Sequence, residues 1–166
     1  MITTERLELR KFDGNQTMHL DMIARWLNDP EIVRYSEQRH HKHDWESQLE
    51  YIDNGPDIYR LIHCGPKFIG TISAYIDKPN SVADVGILIG DKSVWGKGYG
   101  TEAWIAFCDH LFLHKIRKIE AGAMNINAGM IAIFQKYRMH FEGYRNGHFI
   151  VNGEPVHMVM WGKFAP

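Results

Sequence analysis

Cysteine is scarce in this chain: Cys64 and Cys108 are the only two among 166 residues. Two thiols 44 positions apart exclude a disulfide scaffold and a four-cysteine zinc site. No apolar run approaches the roughly 20 residues that span a bilayer. Neither sign of charge is in excess, with 19 Lys+Arg against 20 Asp+Glu and a net charge of −1. That balance argues against a nucleic-acid binder, which carries a basic surplus. The opening Met1-Ile2-Thr3-Thr4-Glu5-Arg6 lacks the apolar core of a signal peptide. These absences lead to the expectation of a cytoplasmic, reducing-compartment protein without a membrane or nucleic-acid partner. With no repeat, linker or low-complexity tract, residues 1–166 are expected to form one domain, as suits this length.

The periodicity of the sequence is clear in most places. Arg6 to Phe12 alternates polar and apolar residues, as a half-buried strand does, and Asp13-Gly14-Asn15 marks a turn. Met18, Met22, Ile23, Trp26 and Leu27 recur at helical spacing until Asn28-Asp29-Pro30 stops them. A second helix is expected from Trp45 to Ile52, with Asp44 as N-cap. Strands are expected over 58–63, 67–76, 82–89, 118–124, 143–151 and 154–164, and Asn152-Gly153 is a strong hairpin signal. Helices are expected over 102–113 and 128–139. Short links between strands imply antiparallel pairs, and the two strand–helix–strand crossings imply a locally parallel part. The fold class is therefore α+β: a mixed, mostly antiparallel sheet of about seven strands with helices on both faces.

The sharpest local feature is the strand Asp84 to Gly90 running into Trp95-Gly96-Lys97-Gly98-Tyr99-Gly100-Thr101 and then a buried helix. Glycines let successive backbone N–H groups converge, and a helix N-terminus adds partial positive charge. Such a turn suits a phosphate or pyrophosphate, with Thr101, Lys97 and Lys92 as further donors. The spacing does not match a P-loop, and the Gly-x-Gly-x-x-Gly of a dinucleotide fold is also absent. A coenzyme A loop and a plain glycine turn both remain.

Trp95 to Thr101 resembles the Arg/Gln-x-x-Gly-x-Gly/Ala pyrophosphate loop of the GNAT N-acetyltransferase superfamily, with Trp95 at the Arg/Gln position. Thr4 to Arg10, Trp26 to Ile32, Phe68 to Ile72, Asn127 to Met139 and Phe141-Glu142-Gly143 are similar, in order and spacing, to segments of its RimJ/RimL-like (ribosomal-protein-alanine N-acetyltransferase-like) branch. The resemblance implies acetyl transfer from acetyl-CoA, as co-substrate, to a primary amine by direct attack, with no metal. The amine is a protein N-terminus, a small metabolite amine or an amino sugar. It assigns the cofactor to Trp95, Gly96, Lys97, Gly98, Tyr99, Gly100 and Thr101. It further assigns it to Ile87, Leu88 and Ile89, whose strand pairs with the pantetheine arm, and to Asn127 and Phe134 of the last helix. Asp84 stands where many members carry a glutamate and is the candidate base, acting through a water because it is shorter. Phe134 occupies the position of a tyrosine that protonates the leaving thiolate. Tyr137, three residues on, is the candidate substitute acid. The family's last strands often pair between subunits, which implies a monomer or a homodimer. Two other readings stand beside this one: a non-catalytic acyl-CoA-binding module on the same fold, and a nucleotide oxidoreductase reusing the glycine turn.

The remaining chemistry-bearing residues read as structure. His40-His41-x-His43 has no acidic or cysteine partner at metal-ligand spacing and reads as a solvated loop beside the acceptor pocket. His110 and His114 read as helix surface, Cys64 and Cys108 as buried thiols, and Trp104, Phe107 and Phe112 as core. Charge is unevenly placed. Residues 1–60 hold eight basic and 12 acidic residues, a net −4, while residues 61–166 carry +3 and 13 of the 15 glycines.

Overall fold

The computed structural model describes residues 1–14 and 17–166; Asn15 of the expected turn lies outside the described residues. The elements are β1 (Ile2–Thr3), β2 (Glu8–Lys11), α1 (Thr17–Leu27), α2 (Trp45–Asn54), β3 (Ile58–Cys64), β4 (Lys67–Asp77) and β5 (Val82–Ile89). There follow α3 (Tyr99–Leu113), β6 (Lys118–Met124), α4 (Ala128–Lys136), β7 (His140–Val151) and β8 (Glu154–Phe164). The strands form one sheet in the order β1-β2-β3-β4-β5-β6-β8-β7. It has eight strands rather than about seven, because the two-residue β1 pairs with β2. Among the described residues only β5 and β6 are parallel neighbours. The second crossing, through α4, does not add a parallel pair, because β8 inserts between β6 and β7.

Strand alternation directs successive side chains to opposite faces. Ile62 joins a core of Leu9, Ile72, Val85, Trp104, Phe107 and Phe134, which the α3–α4 face covers. Leu61 meets Ile23, Phe68 and Trp26 on the α1 face. α3 is apolar on most sides because it lies in the core, and its Trp104 and Phe107 are fully buried. Phe112 packs against this core partly buried. Cys108 is buried, whereas Cys64 is only half-buried.

Local chemistry explains the element ends. Asp44 caps α2, accepting from the Ser47 N–H at 2.8 Å, and the Ser47 hydroxyl reciprocates as a capping box. Asn152 and Gly153 both take positive φ, 53° and 83°, as the tight β7–β8 hairpin requires. α3 begins at Tyr99, three residues before the expected start. α4 stops at Lys136, three residues before the expected end, because Arg138 turns left-handed at φ 57°.

Beneath α1, His19 and His63 share a hydrogen bond between their Nε2 atoms at 3.3 Å, with both rings set against Phe68. Among the described residues neither Nδ1 has a partner. Burial lowers both pKa values. Arg10 pushes both further down, and His19 does so for His63, while Asp13 opposes on His19 and the Leu61 backbone and Glu8 oppose on His63. A histidine with a depressed folded pKa contributes stability that is present above the unfolded value of about 6.5 and lost as pH falls through the folded value. Thermal unfolding between pH 7.5 and pH 5 is expected to show that loss, and His19→Leu is expected to reduce the slope; an unchanged slope would contradict it.

Candidate active site

β5 and β6 pair only at Val82↔Lys118, Ala83↔Ile119 and Asp84↔Glu120, after which they part. β6 goes on along β8 to Met124, while β5 goes on along β4 to Ile89. Opposite residues of an antiparallel pair alternate between exchanging hydrogen bonds and leaving them free. The Gly90 N–H donates to the Ile69 carbonyl at 3.0 Å, so the next pair, Gly70 opposite Ile89, leaves them free. The peptide groups of Ile87 and Ile89 and the carbonyl of Val85 therefore face away from β4, into the opening. A cavity of about 1020 Å³ occupies it, walled by Val85–Ile89 on one side and Gly122–Met124 on the other.

One end of the cavity is the glycine turn. Gly96 and Gly98 take φ of 72° and 82°, which L side chains rarely adopt. Gly98 is the N-cap of α3 and supplies no side-chain cap, so the cap residue leaves the leading N–H groups of the helix unpaired. Gly96, Gly98, Tyr99, Gly100 and Thr101 all line the cavity. The carboxylate of Glu102, which would repel an anion there, is turned aside. It accepts from the Thr4 hydroxyl at 2.5 Å and from the Arg6 Nε at 2.6 Å, and Arg6 also lies over the Tyr99 ring at 4.2 Å. A group of uncapped donors, a helix dipole and an open glycine backbone fit a pyrophosphate. Lys136 of α4 lines the same cavity, a cation the sequence did not single out. Lys97 is exposed and outside the lining; its carbonyl holds Arg6 Nη1 at 3.1 Å. Lys92 is spent on Asp29 and Glu31, at 2.7 and 2.5 Å.

The other end lies under α1 and α2. Tyr59, Thr71 and Ser73 form its floor, with Tyr51, Gln48 and His43 on its wall. The segment 40–43 is not simply solvated, as its composition suggested. Asn28 brackets the His43 backbone, donating to its carbonyl at 2.7 Å and accepting from its N–H at 3.0 Å. Buried Gln48 contacts His43 Nδ1 and the Gln38 carbonyl contacts Nε2, each at 3.2 Å. His110 and His114 stack at 4.1 Å between centroids, with His114 Nδ1 on the His110 carbonyl, which is helix surface.

Asp84 shares a strand face with Gly86 but lines a neighbouring depression of about 540 Å³ with Tyr75 and Glu120. The Tyr75 hydroxyl donates at 3.1 Å to that of Tyr51, which lines the main cavity. Asp84 is exposed by surface area, yet the protein packed around its carboxyl leads an upward pKa shift, to which Glu120 adds and which Arg145 opposes.

Residues 6–140 match the family model of the acetyltransferase (GNAT) domain. The chain belongs to the GNAT acetyltransferase family. The "Probable N-acetyltransferase YjcK" of Bacillus subtilis (strain 168) is 34% identical over 90 residues, covering 52% of this chain and about half, 49%, of the relative. The spermidine N-acetyltransferase of Vibrio cholerae, solved with CoA and spermine, superposes with a TM-score of 0.83 at 17% identity, covering 98% of this chain and 97% of that one. An acetyltransferase of Salmonella typhimurium that modifies the N-terminal serine of a 50S ribosomal subunit protein gives 0.77 at 20%, covering 98% and 97%. At these identities the two structures show a shared fold.

Against the GNAT pattern, four expected site residues are outside the lining of the main cavity: Lys97 and Asp84, as above, and Phe134 and Tyr137. Phe134 is fully buried, with Trp104 and Trp161 at 5.5 and 5.9 Å, and belongs to the core rather than to a cofactor surface. Tyr137 is 4% exposed and outside the cavity lining. Its hydroxyl donates to Asp109 Oδ1 at 2.7 Å, and Lys163 Nζ sits 3.6 Å from its ring centroid. Burial and then Asp109 push its pKa well above the tyrosine range. A proton donated to the Asp109 carboxylate on the far side of α4 from the cavity is not available within it. Asn127 lines the cavity while its Oδ1 caps α4 at the Met130 N–H, 3.2 Å. Trp95 also lines it, and its indole N–H donates to the Ile89 carbonyl at 2.8 Å.

Proposed function

We propose that the chain transfers an acetyl group from acetyl-CoA to a primary amine that enters beneath α1 and α2. The observation that carries this reading is the continuity of one cleft: an uncapped helix N-terminus, an open strand edge and a polar pocket follow each other along it. Gly96 to Thr101 hold the pyrophosphate, the Val85–Ile89 edge receives the amide arm, and Lys136 adds counter-charge. The co-substrate, when bound, supplies an acetyl group activated as a thioester. The open peptide N–H of Ile87 or Ile89 is the donor that steadies charge on the thioester oxygen.

The incoming amine must lose a proton. A lysine-type amine of pKa about 10.4 costs roughly 4.6 kcal/mol to deprotonate at pH 7, against about 1 kcal/mol for an α-amine. Asp84 takes that proton through solvent, and its raised pKa makes it a stronger base than an ordinary aspartate. The departing thiolate takes its proton from solvent, since Phe134 and Tyr137 offer none. Because a base works deprotonated, the acidic limb of the rate profile is expected to lie above the usual aspartate range. Asp84→Asn is expected to remove that limb and lower kcat/KM by about 10²-fold for a lysine-type amine, less for an α-amine. An unshifted limb in the variant would exclude Asp84.

The RimJ/RimL-like resemblance favours a protein α-amine among the three acceptor classes. One observation favours the second reading, a non-catalytic acyl-CoA-binding module: neither Phe134, at the family's tyrosine position, nor Tyr137 brings an acid to the cleft. Thiol release from acetyl-CoA, measured across peptide N-termini, polyamines and amino sugars, separates the two. Release with any of these acceptors establishes the enzyme, and binding of acetyl-CoA without release from the whole panel favours the module.

A further inference from the structure

Taking the cleft as a coenzyme A site, we infer that Trp95 sets the register in which the coenzyme's amide arm pairs with β5. The open edge offers a row of groups: the Val85 carbonyl, then the N–H and carbonyl of Ile87, then those of Ile89. An arm bearing two amides can pair with such a row in more than one position. Positions differ by two residues, about 6.6 Å along the strand. A shift of that size takes the thioester away from the amine, while losing few of the contacts that give affinity. The backbone alone therefore leaves the position of the reacting carbon undefined.

The side chain of Trp95 removes the ambiguity. Its indole N–H already occupies the Ile89 carbonyl at 2.8 Å, so the row of free acceptors ends at Ile87. The contact also spans the turn between the strand end and the glycine loop, because Trp95 is the residue that leads into Gly96. The 3₁₀ turn Lys92–Val94 holds it in place: Asp91 accepts from the Ser93 N–H at 2.9 Å, and the Trp95 N–H donates to the Lys92 carbonyl at 3.2 Å. One side chain thus fixes the pyrophosphate loop and the last pairing position of the arm relative to each other. Trp95 is a positioning residue: it acts through the strand edge and not on the acetyl group. An arginine or glutamine at this position would reach for phosphate, whereas the indole closes the strand end.

The test uses backbone amide exchange by NMR with CoA as the probe, on the wild type and on Trp95→Phe, which keeps ring bulk without the N–H. In the wild type, CoA is expected to slow exchange of the Ile87 amide about tenfold or more and to leave Ile89 within about twofold. The Trp95 indole proton is expected to stay protected with CoA bound. In Trp95→Phe the slowing is expected to spread to Ile89, with the CoA Kd changed by less than about threefold. The same protection pattern in both proteins overturns the inference. So does weakened CoA binding with a lowered melting temperature and no change of pattern, which marks Trp95 as a loop support alone. If the variant does not fold, the wild-type indole proton decides, since its exposure on CoA binding means that the arm takes the Ile89 carbonyl. A wild type that binds CoA without protecting Ile87 defeats the inference and leaves the CoA reading standing. A wild type that does not bind CoA defeats both.

Discussion

Gly98→Val is expected to weaken acetyl-CoA binding by at least about 100-fold, some 2.7 kcal/mol, while leaving the protein folded. Gly98 holds φ 82° and caps α3 without a side chain. A residue with a Cβ costs about 1–2 kcal/mol in this conformation. The Cβ itself meets nothing closer than Arg6 Nη2, at 3.6 Å, so its cost to the fold is backbone strain and not a clash. The damage therefore falls on whatever approaches the loop from the cavity that Gly98 lines. Calorimetric titration with acetyl-CoA, alongside a melting curve, checks both halves. Unchanged affinity in a folded variant would remove the glycine turn from the binding site.

Phe134→Ala is expected to lower stability by about 3–5 kcal/mol, a melting temperature lower by roughly 6–20 °C. The ring is fully buried between two indoles, those of Trp104 and Trp161, and the surrounding core is tied to α3 and β8. Removing it leaves a void that rigid aromatic neighbours cannot close. At a temperature where the variant is folded, its acetyl-CoA affinity is expected to stay within about threefold of the wild type, as for a residue that does not line the cleft. A large loss of affinity with little loss of stability would return Phe134 to the cofactor site. The cost of removing this side chain accounts for an aromatic ring here even without a hydroxyl to donate.

The sequence was most legible where one local rule decides the structure. The alternation of Glu8–Lys11, the Asp44 cap and the Asn152-Gly153 hairpin each need only a few neighbouring residues. The glycine turn was legible for the same reason, because Gly96 and Gly98 are needed for their own φ. What the sequence did not show depends on distant partners. The opening between β5 and β6 follows from where a parallel pairing ends, at Asp84 and Glu120, 36 positions apart. His43 became part of a built wall through Asn28 and Gln48. Tyr137 looked poised for the cleft on helical spacing, but α4 ends before it, at Lys136, and Asp109 of α3 claims its hydroxyl. Thr71 and Ser73 do carry a local signal, two hydroxyls within the apolar run of β4, on one face.

Charge follows the same division. The acidic first 60 residues supply α1, α2 and the acceptor side, and the basic remainder supplies the glycine turn and Lys136. Under the proposed function, an anionic co-substrate and a cationic amine would each approach a region of complementary net charge, an effect that weakens with salt.

The proposed coenzyme A site joins the open β5 edge to the glycine turn. The most direct measurement is the melting temperature in the presence of acetyl-CoA and, separately, of NAD. At about 100 times Kd a ligand of the native state contributes about 2.7 kcal/mol, or roughly 5–10 °C for a chain of this size. The expected result is a rise of that order with acetyl-CoA and none with NAD. No rise with acetyl-CoA at millimolar concentration, or an equal rise with NAD, would contradict the account.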